Sequence, residues 1–410
     1  MKPMQARLFY GWIVVAAAFA VTFIGFGCAY TFSAFVQPLQ RDFDASRGSV
    51  ALAFSLSGFV YFGFGLVSGR LADRWGARPL AMLGMLLVGS GLALASLART
   101  LFEVYLAYGL GVGLGIGCAY VPVLGAVQRW FDRQRGLASG LAVAGIGVGT
   151  LVMPPLAATL VELIGWRAAY LTIGLGAAVL GIAVASLIVS DPRERGLHPD
   201  GISRSPEHAP AADGVSLLEA VRSRAFTQLY IGCFMGSLGA FVPFVHLVPY
   251  AQDLGIDRGP AAALIGAIGA GSTVGRFFLG GAADRMGRPQ FLRITYLGMM
   301  LAMLLWAVSG SLPGLVAFAV LLGLFYGAWV AVLPAVVTDL FGRRNVSAII
   351  GVLYTSVAVG TLIGPATAGV LFDMTSSYLW PILASAAANL VAGLMTRAPV
   401  SHPFPTGALR

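Results

Sequence analysis

An arginine stands in the middle of GSTVGRFFLG, residues 271–280, where every other side chain is apolar, small or a hydroxyl. Inserting a guanidinium at the centre of an apolar helix costs roughly 2.5 to 3.5 kcal/mol, and such a group faces a bundle interior or an aqueous cavity where it meets a partner. Arg276 follows Pro260 by sixteen residues, about 24 Å of helix, and precedes Asp284 by eight, which puts it at depth in the apolar run. The 17 acids fall in loops or near the ends of apolar stretches, with Glu103, Glu162, Asp253, Asp339 and Asp373 nearest to their interiors, and none is an obvious mate. An unpaired buried cation invites an anion, and the planar fork of guanidinium donors matches a carboxylate bidentately. The bland alternative is an arginine that only bonds carbonyls or reaches a distant acid. Ser272, one helical turn earlier on the same face, offers a hydroxyl to a ligand or water, or serves helix packing.

A second polar group sits in FVPFVHLVPYAQDLG, residues 241–255, where His246 lies between Pro243 and Pro249. It is the one histidine of four that falls inside an apolar stretch. An imidazole titrating near 6.5 is a candidate proton carrier, and a histidine merely hydrogen-bonded across helices is the competing reading. The flanking prolines break the helix and expose carbonyls where it borders a cavity. Elsewhere the chemistry is sparse. Cys28, Cys118 and Cys233 lie in separate apolar runs with no paired spacing, so no disulfide framework, metal site or redox pair is expected. The glycines of YGLGVGLGIG, 108–117, never take the G-x-G-x-x-G spacing of a nucleotide loop. No nucleophile and base are spaced for catalysis, no cofactor is implied, and an enzyme is not expected.

The elements that hold these groups follow from composition. Of 410 residues 58% are hydrophobic and 10% charged, and the mean hydropathy is +0.84; a soluble chain carries about 25% charged residues. An integral membrane protein is implied. Crossing the hydrocarbon takes about 20 apolar residues, and apolar runs occur at 9–37, 49–69, 79–98, 102–128, 136–163, 167–190, 225–252, 259–283, 289–309, 312–340, 346–373 and 377–396. The first is too long for a signal-peptide core and is read as a retained helix. Twenty of the 26 basic residues fall in the even-numbered gaps, in the two tails or, for Arg293, within five residues of such a gap, five (Arg41, Arg47, Arg99, Arg167, Arg258) fall in the opposite gaps, and Arg276 remains. The positive-inside rule then predicts that both termini are cytoplasmic. It also accounts for the net charge of +9 without a nucleic-acid partner.

The longest polar interval, 191–223, contains Pro192, Pro199, Pro206 and Pro210 and divides the runs six and six. It predicts a linker between an N-terminal half, 1–190, and a C-terminal half, 224–410. GRLADRWGARP at 69–79 returns as GGAADRMGRP at 280–289, and one offset of 211 relates Asp73 to Asp284, Arg74 to Arg285, Arg133 to Arg344, Gly140 to Gly351 and Pro154 to Pro365. Parallel repeats of this kind hold a substrate between them near the midplane. Glycines spaced by four, Gly65/Gly69, Gly136/Gly140, Gly145/Gly149 and Gly271/Gly275, let helix backbones approach closely.

GRLADRWGAR at 69–78 resembles the signature loop of the major facilitator superfamily, in which an aspartate and arginines lock the ends of neighbouring helices. YGWIVVAAAF at 10–19, WFDRQRGLASGLAVAGIGVG at 130–149 and HLVPYAQDLG at 246–255 resemble the monocarboxylate porters and their oxalate/formate-antiporter relatives. The resemblance implies an all-α integral membrane fold of twelve transmembrane helices in two six-helix halves, set in a bacterial-type inner membrane. It implies that Arg276 holds the substrate carboxylate, since an eighth-span arginine does so in that family. Cys28, Tyr30, Tyr120, Phe325, Tyr326 and Tyr354 lie on spans that line the cavity in this fold and are the further substrate-binding candidates. Asp73, Arg74, Arg78, Asp284 and Arg285 sit at the membrane edge and are assigned to gating.

The chain also departs from that pattern. Animal monocarboxylate porters carry an aspartate one turn before the eighth-span arginine and a lysine in the first span, where this chain has Ser272 and Phe32. Oxalate exchangers use a second cation in the eleventh span, and SAIIGVLYTSVAVGTLIG at 347–364 has none. A single buried positive charge suits a monoanion. The expected function is transport of a short monocarboxylate such as lactate with a proton, His246 being the candidate acceptor, and the alternative is a carboxylate exchanger of the oxalate/formate type. The expected partners are that anion, H+ and membrane lipid, with no obligate protein partner. A membrane sensor is disfavoured because neither the linker nor the tails suggest a signalling domain.

Overall fold

The computed structural model describes residues 9–131, 135–201, 215–279, 283, 285–342 and 346–396. The first crossing consists of α1 (Tyr10–Tyr30) and α2 (Phe32–Phe43), which meet at Thr31, whose hydroxyl donates to the Cys28 carbonyl at 2.7 Å. Helix α3 (Arg47–Trp75) starts at Ser46, a hydroxyl cap accepting the Ser49 N–H at 3.2 Å. After α4 (Ala77–Ser96), the short α5 (Leu101–Val104) runs through a π-helical stretch, Tyr105–Val112, into α6 (Gly113–Trp130). Wider turns of this kind are uncommon and concentrate at functional places. Here the Tyr108 hydroxyl donates to the Ala29 carbonyl at 2.7 Å, pinning the stretch against the end of α1.

Helix α7 (Arg135–Ala185) contains two crossings, because Gly165 sits at φ 78, a left-handed conformation in which a side chain would be strained. Beyond the linker come the short α8 (Leu217–Arg222), capped reciprocally by Ser216 and Glu219, then α9 (Arg224–Ala240) and α10 (Pro243–Asp253). The break expected around the prolines falls at Phe241 and Val242, just before Pro243, the residue with which α10 starts. Then follow α11 (Arg258–Phe278), α12 (Arg288–Val308), α13 (Leu312–Phe341), α14 (Val346–Thr375) and α15 (Leu379–Met395). Among the described residues, ten helical stretches are long and apolar enough to cross a membrane. One of them is the stretch divided at Gly165, and α15 is a shorter apolar helix, which gives the twelve crossings predicted.

The two sets of crossings meet mainly where α3 packs along α14 and α7 along α11, with α2 also against α10. Small residues permit the first two contacts. A side-chain carbon at Gly269 would run into the backbone of Gly147 and Leu151, and one at Gly369 into the backbone of Gly48. Of the glycine pairs read from the sequence, Gly145/Gly149 abut α1 and Gly271/Gly275 abut α13, both backbone to backbone. Gly65/Gly69 meet only the side chain of Val121, and no atom lies within 4 Å of the place a Cβ would take at Gly140. The α3/α14 contact also loosens along its length. It is backbone to backbone at Gly48/Gly369, whereas at Gly351 only the tip of Leu66 is near, and at Gly63 nothing is. Along α3 and α14 the packing is therefore tighter near Arg47 than farther along the pair.

Candidate functional site

Midway along the bundle is a cavity lined by Phe26, Tyr30, Phe62, Tyr120, Ile146, Phe241, Arg276, Tyr326, Trp329, Val330, Leu333, Tyr354 and Val357. The space open to the centre of a water molecule is about 30 Å³. A water needs about 10–15 Å³ on that measure, so the space suits two or three waters or a ligand of a few heavy atoms. Its walls come from α1, α3, α6, α7, α13, α14, α11 and the α9–α10 break, so both sets of crossings contribute.

Among the described residues, Arg276 is the one charged side chain in this wall. Its position in the last turn of α11 follows from the packing of α11, whose Gly271 and Gly275 lie flat on α13, leaving the arginine aimed between the sets. Nη1 donates to the Val143 carbonyl of α7 at 3.1 Å, while the buried Nε has no partner. Among the described residues no carboxylate pairs with Arg276. A guanidinium carries five N–H donors, so one backbone carbonyl leaves most of its capacity unused.

Around it stand four phenols. The hydroxyls of Tyr30 and Tyr326 are 3.3 Å apart, joining α1 to α13. Tyr30 stacks on Phe244 with ring centroids 4.5 Å apart, and Tyr326 meets Phe241 and Phe244 edge-on at 5.9 and 5.5 Å. Tyr120 meets Phe26 edge-on at 5.1 Å, and Tyr354 meets Phe62 at 5.9 Å. The indole of Trp329 donates to the Tyr296 hydroxyl at 2.9 Å, which fixes that wall.

Five of the eight substrate-binding candidates therefore gather at one place: Arg276, Tyr30, Tyr120, Tyr326 and Tyr354. The other three lie apart from the cavity wall. Ser272 is buried against the backbone of α13 at Gly323 and Gly327, Cys28 is buried outside the cavity, and the ring of Phe325 lies over Gly298 of α12. The sequence reading passed over Phe26, Phe62, Phe241, Trp329 and the aliphatic members of the wall. Helical spacing holds a signal for several: Phe26 is one turn before Tyr30, while Trp329 and Val357 follow Tyr326 and Tyr354 by three residues.

His246 lies outside the cavity wall. It is fully buried, with Nε2 2.9 Å from the Pro365 carbonyl and Nδ1 3.3 Å from the Tyr378 hydroxyl. A carbonyl only accepts, so in the neutral ring Nε2 carries the proton and Nδ1 accepts from Tyr378. Tyr378 in turn accepts from Arg47 Nη1 at 2.8 Å, and Arg47 holds Asp253 through two bonds of 2.6 and 2.8 Å. Asp373 accepts the backbone N–H groups of Arg47 and Gly48 at 3.2 and 3.0 Å, a carboxylate at the N-terminus of α3. The Arg47 guanidinium also lies 4.2 Å from the centre of the Phe372 ring. Together these contacts clamp α3 to α10, α14 and the turn before α15.

The gating candidates are distributed differently. Arg78 Nε donates to the Ile188 carbonyl at 2.8 Å, tying the start of α4 to the end of the sixth crossing. Arg74 and Arg285 are exposed. Asp284 lies outside the described residues, as does the side chain of Asp73. The described His, Cys, Asp and Glu side chains form no cluster that could hold a metal ion.

The family model of the Major Facilitator Superfamily matches residues 17–310 and 229–408. Monocarboxylate transporter 11 of Mus musculus is 33% identical over 380 residues, covering 90% of this chain and 83% of the relative. The chain belongs to the major facilitator superfamily and, within it, to the family of the monocarboxylate transporters. Monocarboxylate transporter 3 of Rattus norvegicus is 33% identical over 379 residues, covering 90% and 75% of the two chains. Among solved structures, a bacterial homologue of the human lysosomal transporter Spinster, in an inward-facing and unoccupied conformation, superposes with a TM-score of 0.71 over 97% of each chain at 16% identity. That likeness shows the fold. The chain is accordingly a multi-pass membrane protein of a transporter family, and not an enzyme.

Proposed function

We propose that this protein carries a short monocarboxylate of the lactate and pyruvate class across the membrane together with a proton, by alternating access. The observation that carries the reading is Arg276, a guanidinium in a small aromatic cavity, held by one carbonyl and by no described carboxylate. The substrate anion supplies the missing partner, with Tyr30, Tyr120, Tyr326 and Tyr354 around it. Ser272, Cys28 and Phe325 then act on the site only through helix packing. A carboxylic acid of pKa about 4 is an anion at neutral pH, and moving one negative charge inward against 100 mV costs about 2.3 kcal/mol. A cotransported proton removes that electrical cost.

In this reading residues 1–190 and 224–410 rock as two halves about the 191–223 linker, in a bacterial-type inner membrane with both termini cytoplasmic. The Arg47 face is then the outer one, closed by the Arg47 clamp, and the conformation is inward-facing, as its structural relative is described to be. His246 is the proton acceptor, reached from outside when the clamp parts. Asp73, Arg74, Arg78, Asp284 and Arg285 set the balance at the inner face.

Uptake of labelled lactate into proteoliposomes tests this directly. It should rise with a pH gradient that is acid outside, without any carboxylate preloaded inside. Uptake indifferent to that gradient and dependent on an internal carboxylate would instead mean exchange of the oxalate/formate type.

A further inference from the structure

The clamp at the Arg47 face has a direction as well as a set of partners, and one ring decides it. In the neutral form Nε2 of His246 donates to the Pro365 carbonyl at 2.9 Å and Nδ1 takes the Tyr378 O–H at 3.3 Å. The Tyr378 oxygen is then left to accept from Arg47 Nη1 at 2.8 Å, and Arg47 closes on Asp253 at 2.6 and 2.8 Å. The run passes from α10 through the residue before α15 to α3, so its order spans both sets of crossings. His246 is fully buried, whereas the Arg47 and Asp253 side chains are 14% and 39% exposed, so one end of the run meets water and the other does not.

A second proton on the ring reverses the middle of this run. An imidazolium has two donors and no acceptor, and the Pro365 carbonyl already takes the Nε2 proton. Nδ1 must then donate, and the oxygen facing it is that of Tyr378, which already accepts from Arg47. Two cations then meet on one phenol oxygen in a place where salt screens them weakly, and the Tyr378 O–H loses its acceptor. The charges that act on the ring are those of Arg47 and Asp373, and Asp373 is committed to the backbone N–H groups of Arg47 and Gly48. Tyr250, also on α10, donates to the Ser309 carbonyl. The other elements packed on α10 are α2 and α11. Asp42 of α2 is held by Arg167 and Trp166, Arg41, Asp44 and Asp257 are exposed, and Arg258 at the start of α11 only adds positive charge. Among the described residues, nothing relieves the repulsion except retreat of Arg47 from Tyr378, which loosens its hold on Asp253.

We propose that Tyr378 is the positioning residue through which the charge of His246 controls the clamp: its hydroxyl lets Arg47 close on Asp253 over a neutral ring and opposes that closure over a charged one. This rests on the reading above, in which His246 takes the proton and the Arg47 face is the outer one, and it adds a physical link between the proton and the movement. A carrier that has taken a proton but no anion is biased open on the outside. Closure then needs a bound carboxylate, which draws together a cavity walled by both sets of crossings. A protonated but empty carrier therefore seldom shuts, and few protons cross alone.

Spin labels at Leu97→Cys and Gly310→Cys, exposed positions at the Arg47 face on opposite sets of crossings, report the opening of that face by pulsed electron resonance. The full-length protein, with Cys28, Cys118 and Cys233 replaced by alanine, is measured in proteoliposomes without carboxylate at about pH 8 and about pH 5.5, either side of the imidazole titration. With no further change, the share of long distances should rise about tenfold in acid. Tyr378→Phe keeps the ring against Phe372 and Tyr250 but removes the oxygen, and its distances should be the same at both values. So should those of His246→Gln, whose side chain stays neutral. Asp253→Asn should lengthen the distance already at the higher pH, and melting temperatures check that each variant is folded. Distances that ignore pH before any of these changes, a Tyr378→Phe protein that still opens in acid, or an Asp253→Asn protein that stays closed would each overturn the inference. Lactate uptake driven by the pH gradient would then leave the proton-coupled reading standing. Uptake that ignores the gradient would remove that reading, and the inference with it.

Discussion

At the residue scale the account depends on the contrast between two cations. Arg47 is paired with Asp253 through two bonds and holds Tyr378 through a third, so its charge is spent on structure. Arg276 keeps one carbonyl and an orphaned Nε and meets no carboxylate among the described residues, which leaves its charge for a ligand. Arg276→Ala should therefore abolish carboxylate uptake while leaving the melting temperature within a few degrees of wild type, checked by paired transport and thermal assays. Arg276→Lys keeps the charge but loses the planar fork, and its affinity for lactate should fall about tenfold or more, read from the concentration dependence of uptake. His246 belongs with the clamp rather than the cavity. If it is the proton acceptor, His246→Gln should keep measurable carboxylate binding and flatten the dependence of uptake on outside pH. An unchanged pH profile would assign the coupling to another group.

At the element scale, close backbone approach sets what can be replaced. A Cβ at Gly275 would collide with the Leu324 carbonyl of α13, a neighbour that cannot swing away. Gly275→Val should lower stability by about 1–3 kcal/mol, the usual penalty of overpacking, and would displace Arg276, the next residue. Gly140→Ala, with open space around it, should leave both stability and uptake unchanged; thermal melts in detergent and uptake rates compare the two. The elements also show how far the sequence could be read. Hydropathy located all twelve crossings, because a span must be apolar over a fixed length whatever it packs against. The break before Pro243 was legible for a similarly local reason, since prolines disrupt helices. What stayed hidden were facings. Ser272 shares a helical face with Arg276 at four-residue spacing, yet Gly323 and Gly327 of α13 press that turn of α11 flat and bury the serine. Phe325 adjoins Tyr326, and α13 turns one ring to α12 and the other to the cavity. Such rotations are fixed by partner helices far away in sequence, and periodicity within one helix does not contain them.

At the scale of the whole molecule, the clamp at the Arg47 face ties α3 to α10, α14 and the turn before α15, and the α3/α14 contact loosens away from it. It joins the first and second sets of crossings through charge as well as stacking, so weakening it should shift the balance between faces more than it unfolds the protein. Asp253→Asn removes the carboxylate that holds Arg47. In a background without Cys28, Cys118 and Cys233, labelling of Phe244→Cys by an impermeant maleimide from the outer side should accelerate when Asp253→Asn is added; an unchanged rate would mean that the clamp does not close that face. The same alternation would carry the ligand only if Arg276 is neutralised by it in transit. The most direct measurement compares lactate with its neutral amide, lactamide, as ligands of purified wild-type protein and of Arg276→Gln, using the thermal shift. The account predicts a lactate-dependent rise in melting temperature in the wild type, none with lactamide, and none with either in the variant. A variant that still responds to lactate as the wild type does would contradict it.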